Sequence, residues 1–374
     1  MATTYRVGII GFAHMHINSL AQEFHAHPQV QLVACADTVP LSPELRDALY
    51  TRGWNLQLAQ EKLGVPQTYA DYHDLLAHEE LDIVVCCAEN TRHAEVVEAC
   101  AAKGIHVVVE KPMASSLAHG LRMVRAAEAA GTLLVVNWPT TWATAIRTAK
   151  EVIDAGEIGR VLEVKWRGGH LGPLGWGVSH PGVAEGATPM SGPERGATWW
   201  HQQAAGGGAM LDYCCYGSML ARWYIGEQAL SAIGMKANLN SQWGDAEDNA
   251  AMIVRFPNAM GLFEGSWTTH DHGVSPGPIV YGTDGTLVIE RKKQQVVRVI
   301  QGQADSRFAD LVELPAGRTN IAEEIIHHLE TSEPLHPTLQ PELNTEVMAI
   351  LDAGVRAAES GQLETVDNVT WCIG

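Results

Sequence analysis

Short apolar runs alternate with stretches of helical spacing through the first 138 residues, and this alternation constrains the fold most. Residues 7–10, 31–36, 82–88, 106–109 and 133–136 read as strands. Residues 16–24, 50–63, 72–77, 91–103 and 116–130 read as the helices between them. Continuously apolar strands belong to parallel sheets covered on both faces. The pattern predicts an α/β fold whose N-terminal domain, residues 1–138, is a doubly wound parallel sheet of the Rossmann type. Gly104 and Gly131 stand where helices end in a left-handed residue.

The pattern changes after residue 138. Residues 143–155 predict a helix and 161–167 a strand. Residues 168–205 carry Gly, Pro, His and Trp without periodicity, and a loop that long is usually functional or mobile. Strand-like runs follow at 231–237, 251–256, 260–269, 279–282, 286–290 and 296–301, with a hairpin signal at Asp284-Gly285. They predict a mostly antiparallel sheet in a second α/β domain, 139–374. Two helices close the chain at 321–329 and 342–358. The last, extended to residue 360, either stays in the second domain or packs back on the first.

The formal net charge of −18 is spread along the chain, which disfavours nucleic acid and anionic membranes as partners. No apolar run approaches the ~20 residues of a bilayer span. The N-terminus shows no signal-peptide pattern, and the seven cysteines sit mostly in apolar runs. Together these predict a cytoplasmic protein.

The first βα turn reads Gly11-Phe12-Ala13-His14-Met15-His16. A dinucleotide fingerprint wants G-x-G-x-x-G there, and only Gly11 matches. The turn still opens a helix, where amide N–H groups favour a pyrophosphate. Asp37 follows the second strand, 26 residues after Gly11. A carboxylate there accepts from ribose hydroxyls and repels the 2′-phosphate of NADP. No arginine follows it directly, so the reading favours NAD. A solvated turn aspartate is the alternative.

Gly206-Gly207-Gly208 opens a predicted helix running to Gly226, with Asp212 and Tyr216 four apart on one face. A carboxylate and a phenol there point to proton transfer. A capped core helix is the bland alternative.

Glu110-Lys111-Pro112 after one strand, Asn90-x-x-His93 after the strand before it, and Gly206–Asp212 occur in an order that resembles the Gfo/Idh/MocA oxidoreductases over nearly the whole chain. The resemblance implies an N-terminal Rossmann domain and a C-terminal domain built on a large open sheet. It implies NAD(P) bound by Gly11, Phe12, Ala13, His14, Met15, Asp37, Ala88, Glu89, Asn90, His93, Glu110 and Lys111. Tyr216 stands where many members carry histidine. At this position the chain is similar to the branch of glucose-fructose oxidoreductase, D-xylose 1-dehydrogenase and dihydrodiol dehydrogenase. Cys214 replaces a glycine usual in the family.

The expected activity is hydride transfer between nicotinamide and a sugar, keto-sugar or polyol carbon. Tyr216 is the expected general acid/base. Its ordinary pKa near ~10 would be lowered by Lys111, with Asp212 orienting that amine or a substrate hydroxyl. Lys111 bonding the substrate oxygen directly is the other arrangement. The loop bearing His170, Trp176, His180, Trp199, Trp200 and His201 reads as a substrate lid. Asn137 and Trp138 are further candidate substrate contacts. His14-x-His16 and His25-x-His27 lack an accompanying acidic cluster, so no metal is expected. The resemblance also implies a homodimer or homotetramer. NAD-dependent glycoside hydrolysis and a non-catalytic nucleotide and sugar sensor are the competing functions.

Overall fold

The computed structural model describes residues 3–175, 178–180, 183, 185–186, 188–270, 277–290, 295–301 and 305–368. Trp176 lies outside the described residues. The first sheet holds β1 (Tyr5–Ile10), β2 (Val30–Ala36), β3 (Gln67–Tyr69), β4 (Ile83–Cys86), β5 (His106–Glu110) and β6 (Leu134–Asn137). Their order is β3-β2-β1-β4-β5-β6, and every neighbouring pair is parallel. Helices α1 (Ile17–Ala26), α2 (Arg52–Glu61), α3 (Tyr72–His78), α4 (His93–Ala101) and α5 (Leu117–Ala130) cover it. All four residues of β4 are buried, each large apolar one contributing roughly 1.5–3 kcal/mol.

Two departures from the sequence reading have local causes. Tyr50 takes φ 70°, outside helical space, so α2 begins after it. β3 is a three-residue edge strand without a buried residue, and it carries no apolar signal.

The second domain contributes α6 (Thr144–Asp154), β7 (Val161–Gly169), a short α7 (Gly192–Gly196) and α8 (Cys215–Ile225). Strands β8 (Ser231–Ala237), β9 (Asn249–Arg255), β10 (Met260–Ser266), β11 (Ile279–Gly282), β12 (Gly285–Glu290), β13 (Val296–Gln301), β14 (Asp305–Phe308) and β15 (Glu364–Thr365) follow. The sheet order is β14-β13-β12-β11-β7-β10-β9-β8-β15. β7 and β10 are parallel and the remaining neighbours antiparallel, a mixed and mostly antiparallel sheet as expected. The hairpin turn is Thr283-Asp284, one residue earlier than the sequence signal.

Helix α9 (Ile321–Thr331) returns to the first domain, whereas α10 (Pro341–Ser360) packs chiefly on β8 and α8 of the second domain and also touches α5 and β6. Ile321, Ile325 and Ile326 share an apolar cluster with Val7, Ile9 and Phe24. On α10, Val347 and Met348 share a cluster with Val136 of β6. The cleft between the halves faces the carboxyl ends of β1, β4 and β5, where open α/β sheets bind ligands. Among the described residues no helix is long and apolar enough to cross a membrane.

Candidate active site

The glycine triad does not lead straight into an α-helix. Met210–Cys214 forms a π turn, and α8 follows it. Gly208 sits at φ +117°, and a Cβ there would fall 2.3 Å from Glu247 Oε1, so only glycine fits. The Glu247 carboxylate uses that room to accept from Met210 N at 3.0 Å. The wider winding lets Asp212, Tyr213 and Tyr216 line a single cavity of about 320 Å³. Helical spacing identifies Asp212 and Tyr216 but turns Tyr213 away. The π turn recovers it, and Gly168 makes the space: a Cβ there would lie 2.1 Å from the Tyr213 ring.

His14, Met15 and His16 line the same cavity from the β1–α1 turn, with Lys111 beyond β5. His170, Ser179, His180 and Trp200 come from the long loop. Lys111 is 2 % exposed. Its Nζ donates to Asp212 Oδ1 at 2.8 Å and to the Asp212 carbonyl at 3.2 Å. Asp212 Oδ2 accepts from Trp267 Nε1 at 3.1 Å. Burial opposes the Lys111 charge, but Asp212 outweighs it and holds the amine well above its ordinary range. Burial likewise opposes the Asp212 carboxylate, and Lys111 brings its carboxyl below the usual value. The pair is an ion pair at neutral pH.

The amine from the first half and the phenol from the second converge: Lys111 Nζ lies 4.8 Å from the centre of the Tyr216 ring. The expected electrostatics fail, however. Burial between Trp138 and Trp166 raises the Tyr216 phenol, and Lys111 only partly opposes this. Tyr216 is therefore a protonated donor at neutral pH, not a phenolate.

Several expected ligand contacts are structural. Trp138 is fully buried, and its Nε1 donates to Asn344 Oδ1 at 2.8 Å, which removes it as a substrate contact. Asn137 Nδ2 donates to Glu110 Oε2 at 2.9 Å, and Glu110 Oε1 meets His16 Nδ1 at 2.7 Å. The buried His93 ring lies between the carbonyls of Met113 and Ala88, at 3.1 and 3.2 Å from its two nitrogens, and its N–H bonds one of them. Trp199 is buried, stacks on Trp200 and donates Nε1 to the Ala13 carbonyl at 2.8 Å. It fastens the loop to the β1–α1 turn; Trp200 and His170 still face the cavity.

The acidic end of the cofactor region also differs from expectation. Asp37 Oδ1 accepts from Phe12 N at 2.9 Å and Thr38 N at 2.8 Å. An arginine does accompany it: Arg52, from α2, pairs with both Asp37 and Glu89. Sequence distance hid this partner. The histidine pair also has an acidic neighbour, since ligand atoms of His14, His16 and Glu110 lie within 4.8 Å of one another. His16 N donates to His14 Nδ1 at 3.1 Å, so these groups form a hydrogen-bonded chain.

A family model described as the oxidoreductase family with an NAD-binding Rossmann fold matches residues 5–138. The GFO/IDH/MocA C-terminal domain model matches residues 146–288. A myo-inositol 2-dehydrogenase of Thermotoga maritima is 26% identical over 290 residues, covering 75% of this chain and 78% of that protein. A levoglucosan dehydrogenase solved with NADH and levoglucosan superposes with TM-score 0.75 at 22% identity, over 98% of this chain and 100% of that one. An aldose-aldose oxidoreductase from Caulobacter crescentus, solved with glycerol, superposes with TM-score 0.74 at 19% identity, over 97% and 99%. By both halves of its length, the chain belongs to the Gfo/Idh/MocA oxidoreductases.

Proposed function

We propose that this oxidoreductase interconverts a secondary hydroxyl and a carbonyl on a sugar or polyol, with Lys111 and Tyr216 acting on the substrate oxygen. The observation that carries the reading is the buried Lys111 ammonium, fixed by Asp212 over the Tyr216 ring at the wall of the cavity. Hydroxyl-bonding side chains surround that wall: His170, Ser179, His180 and Tyr213 suit a ligand rich in hydroxyls. The compounds after which the relatives are named, myo-inositol and levoglucosan, have the same character.

The residues present fit a nicotinamide dinucleotide. Gly11 takes φ +89°, and a Cβ there would meet Ala88 N at 2.4 Å, so the β1 turn packs closely on the end of β4. Buried polar atoms on His14 and Asn90 lack partners beside Lys111. Gly11, Phe12, Ala13, His14 and Met15, with Asp37, Ala88, Glu89 and Asn90, would hold the cofactor; His93 and Glu110 shape its seat. When bound, it supplies or accepts the hydride.

Two Lys111 donors are committed to Asp212, which leaves a third N–H for the substrate oxygen. That contact stabilises negative charge as it develops there. Tyr216 delivers a proton during carbonyl reduction. Alcohol oxidation needs its deprotonated form, which becomes more abundant as pH rises toward the elevated phenol pKa. Oxidation should therefore speed up from neutral to alkaline pH. Tyr216→Phe should lower turnover by ~10²–10⁴ and flatten that profile while NADH still binds. A polyol panel read at the nicotinamide absorbance band tests this; unchanged turnover or slope removes Tyr216 from the chemistry.

NAD is preferred over NADP in this reading. Asp37, Glu89 and Glu44 outnumber the single Arg52 charge among them, although burial pushes the Glu44 carboxyl up to about 7. Fluorescence titration should find NADH binding at least roughly tenfold tighter than NADPH. Equal affinities would defeat the preference.

A homodimer or homotetramer is also proposed. The outer face of the second sheet exposes Met235 (74%), and Ile233 pairs across strands with Ile253. Apolar groups in such a row favour burial in an interface. Light scattering should give a mass at least twice that of one chain; a monomer at micromolar concentration would refute it.

A further inference from the structure

We propose that His14 and Asn90 recognise the nicotinamide carboxamide as a donor–acceptor pair: His14 Nε2–H to its oxygen and Asn90 Oδ1 from its NH2. This rests on the cofactor reading above. Both side chains are nearly inaccessible, His14 at 2 % and Asn90 at 3 % exposed. Neither His14 Nε2 nor Asn90 Oδ1 has a hydrogen-bond partner. Leaving a buried polar atom unsatisfied costs roughly 1–3 kcal/mol, so two beside one cleft call for a partner.

The bonds these side chains do make fix what remains. His16 N donates to His14 Nδ1 at 3.1 Å, which places the neutral ring's proton on Nε2. Asn90 Nδ2 donates to the Gly206 carbonyl at 2.8 Å, which leaves Oδ1 as an acceptor. One free donor and one free acceptor are the complement of a primary carboxamide. Burial and the neighbouring His16 and Lys111 charges lower the His14 pKa well below its ordinary value, so the ring remains a neutral donor.

Both residues line a narrow gap with Lys111, Trp200, Gly206 and Asp212. It shares His14, Lys111, Trp200 and Asp212 with the 320 Å³ cavity. The two partnerless atoms therefore stand beside the part of the cavity wall that holds Lys111 and Asp212.

Calorimetric titration separates the contributions without measuring turnover. ADP-ribose lacks nicotinamide. 3-Acetylpyridine adenine dinucleotide keeps the carbonyl and lacks the NH2. The wild type should bind NAD about three- to tenfold tighter than the acetylpyridine analogue. Asn90→Leu should bring that ratio close to one. His14→Leu should weaken both dinucleotides by a similar factor and leave ADP-ribose unchanged. Equal wild-type affinities for NAD and the analogue overturn the assignment even if a variant fails to fold. A parallel loss of ADP-ribose binding in the His14 variant also overturns it. No binding of ADP-ribose to the wild type would instead bring down the cofactor reading itself.

Discussion

Lys111→Met should reduce turnover by ~10²–10⁴ and destabilise the fold together. The catalytic loss follows from removing the ammonium that, in the proposed arrangement, bonds the substrate oxygen at the cavity wall. The stability loss comes from Asp212: without the ammonium, its carboxylate keeps the Trp267 contact but lies in a buried site without a counter-charge. Removing one partner of such a pair typically costs about 3–5 kcal/mol. The expected result is a lower urea midpoint at neutral pH that recovers partly on acidification, as Asp212 takes up a proton. Lys111→Arg should not restore activity, because the planar guanidinium cannot reproduce the compact ammonium over the Tyr216 ring. Single-turnover hydride transfer and chemical denaturation check the two parts. A stable variant with turnover within threefold of wild type would separate Lys111 from both roles.

Acid should destabilise the protein from about pH 6.5 downward through its buried histidines, opposed by Glu23 and Glu44, whose carboxyls burial pushes up to about 7 so that they take up protons sooner folded than unfolded. Burial brings His180 and His201 down to about 3 and His336 to about 4, and it holds His14 well below the ordinary value. These rings are neutral when folded and take up protons near pH 6.5 when unfolded. The unfolded state therefore binds more protons below pH 6.5, and stability falls as pH drops from there toward the folded-state values. Each such ring contributes a slope of up to about 1.4 kcal/mol per pH unit. Thermal unfolding between pH 7.5 and 4.5 should show a net decline beginning near 6.5, because the four depressed rings outnumber the two raised carboxyls. His336→Gln should flatten the decline. A flat profile down to pH 5 would show that these rings do not dominate proton uptake on unfolding.

Local patterns made much of the site legible. Continuous apolar runs fixed the parallel sheet, and its strand ends placed Gly11, Asn90 and Lys111 on one edge. The four-residue spacing of Asp212 and Tyr216 put both at the cavity. Tyr213 was hidden because periodicity assumes one winding, and Gly208 beside Glu247 starts the helix with another. Arg52 was hidden because the turn at Tyr50 and α2 bring it back to Asp37 across 15 residues. Trp138 and Trp199 looked available because indoles bind sugars, but sequence does not reveal that Asn344 and Ala13 already take their N–H groups.

By itself the sequence determined the architecture, the two halves' chemistry and the pairing of an amine with a phenol, since these depend on periodicity and residue type. Tertiary structure alone decided how far each pKa moves from its ordinary value, and in which direction. The Trp138–Trp166 enclosure raises the phenol more than Lys111 lowers it, while Asp212 keeps the amine charged. Charge state depends on the distances and burial that folding sets, and residues far apart in the chain supply both.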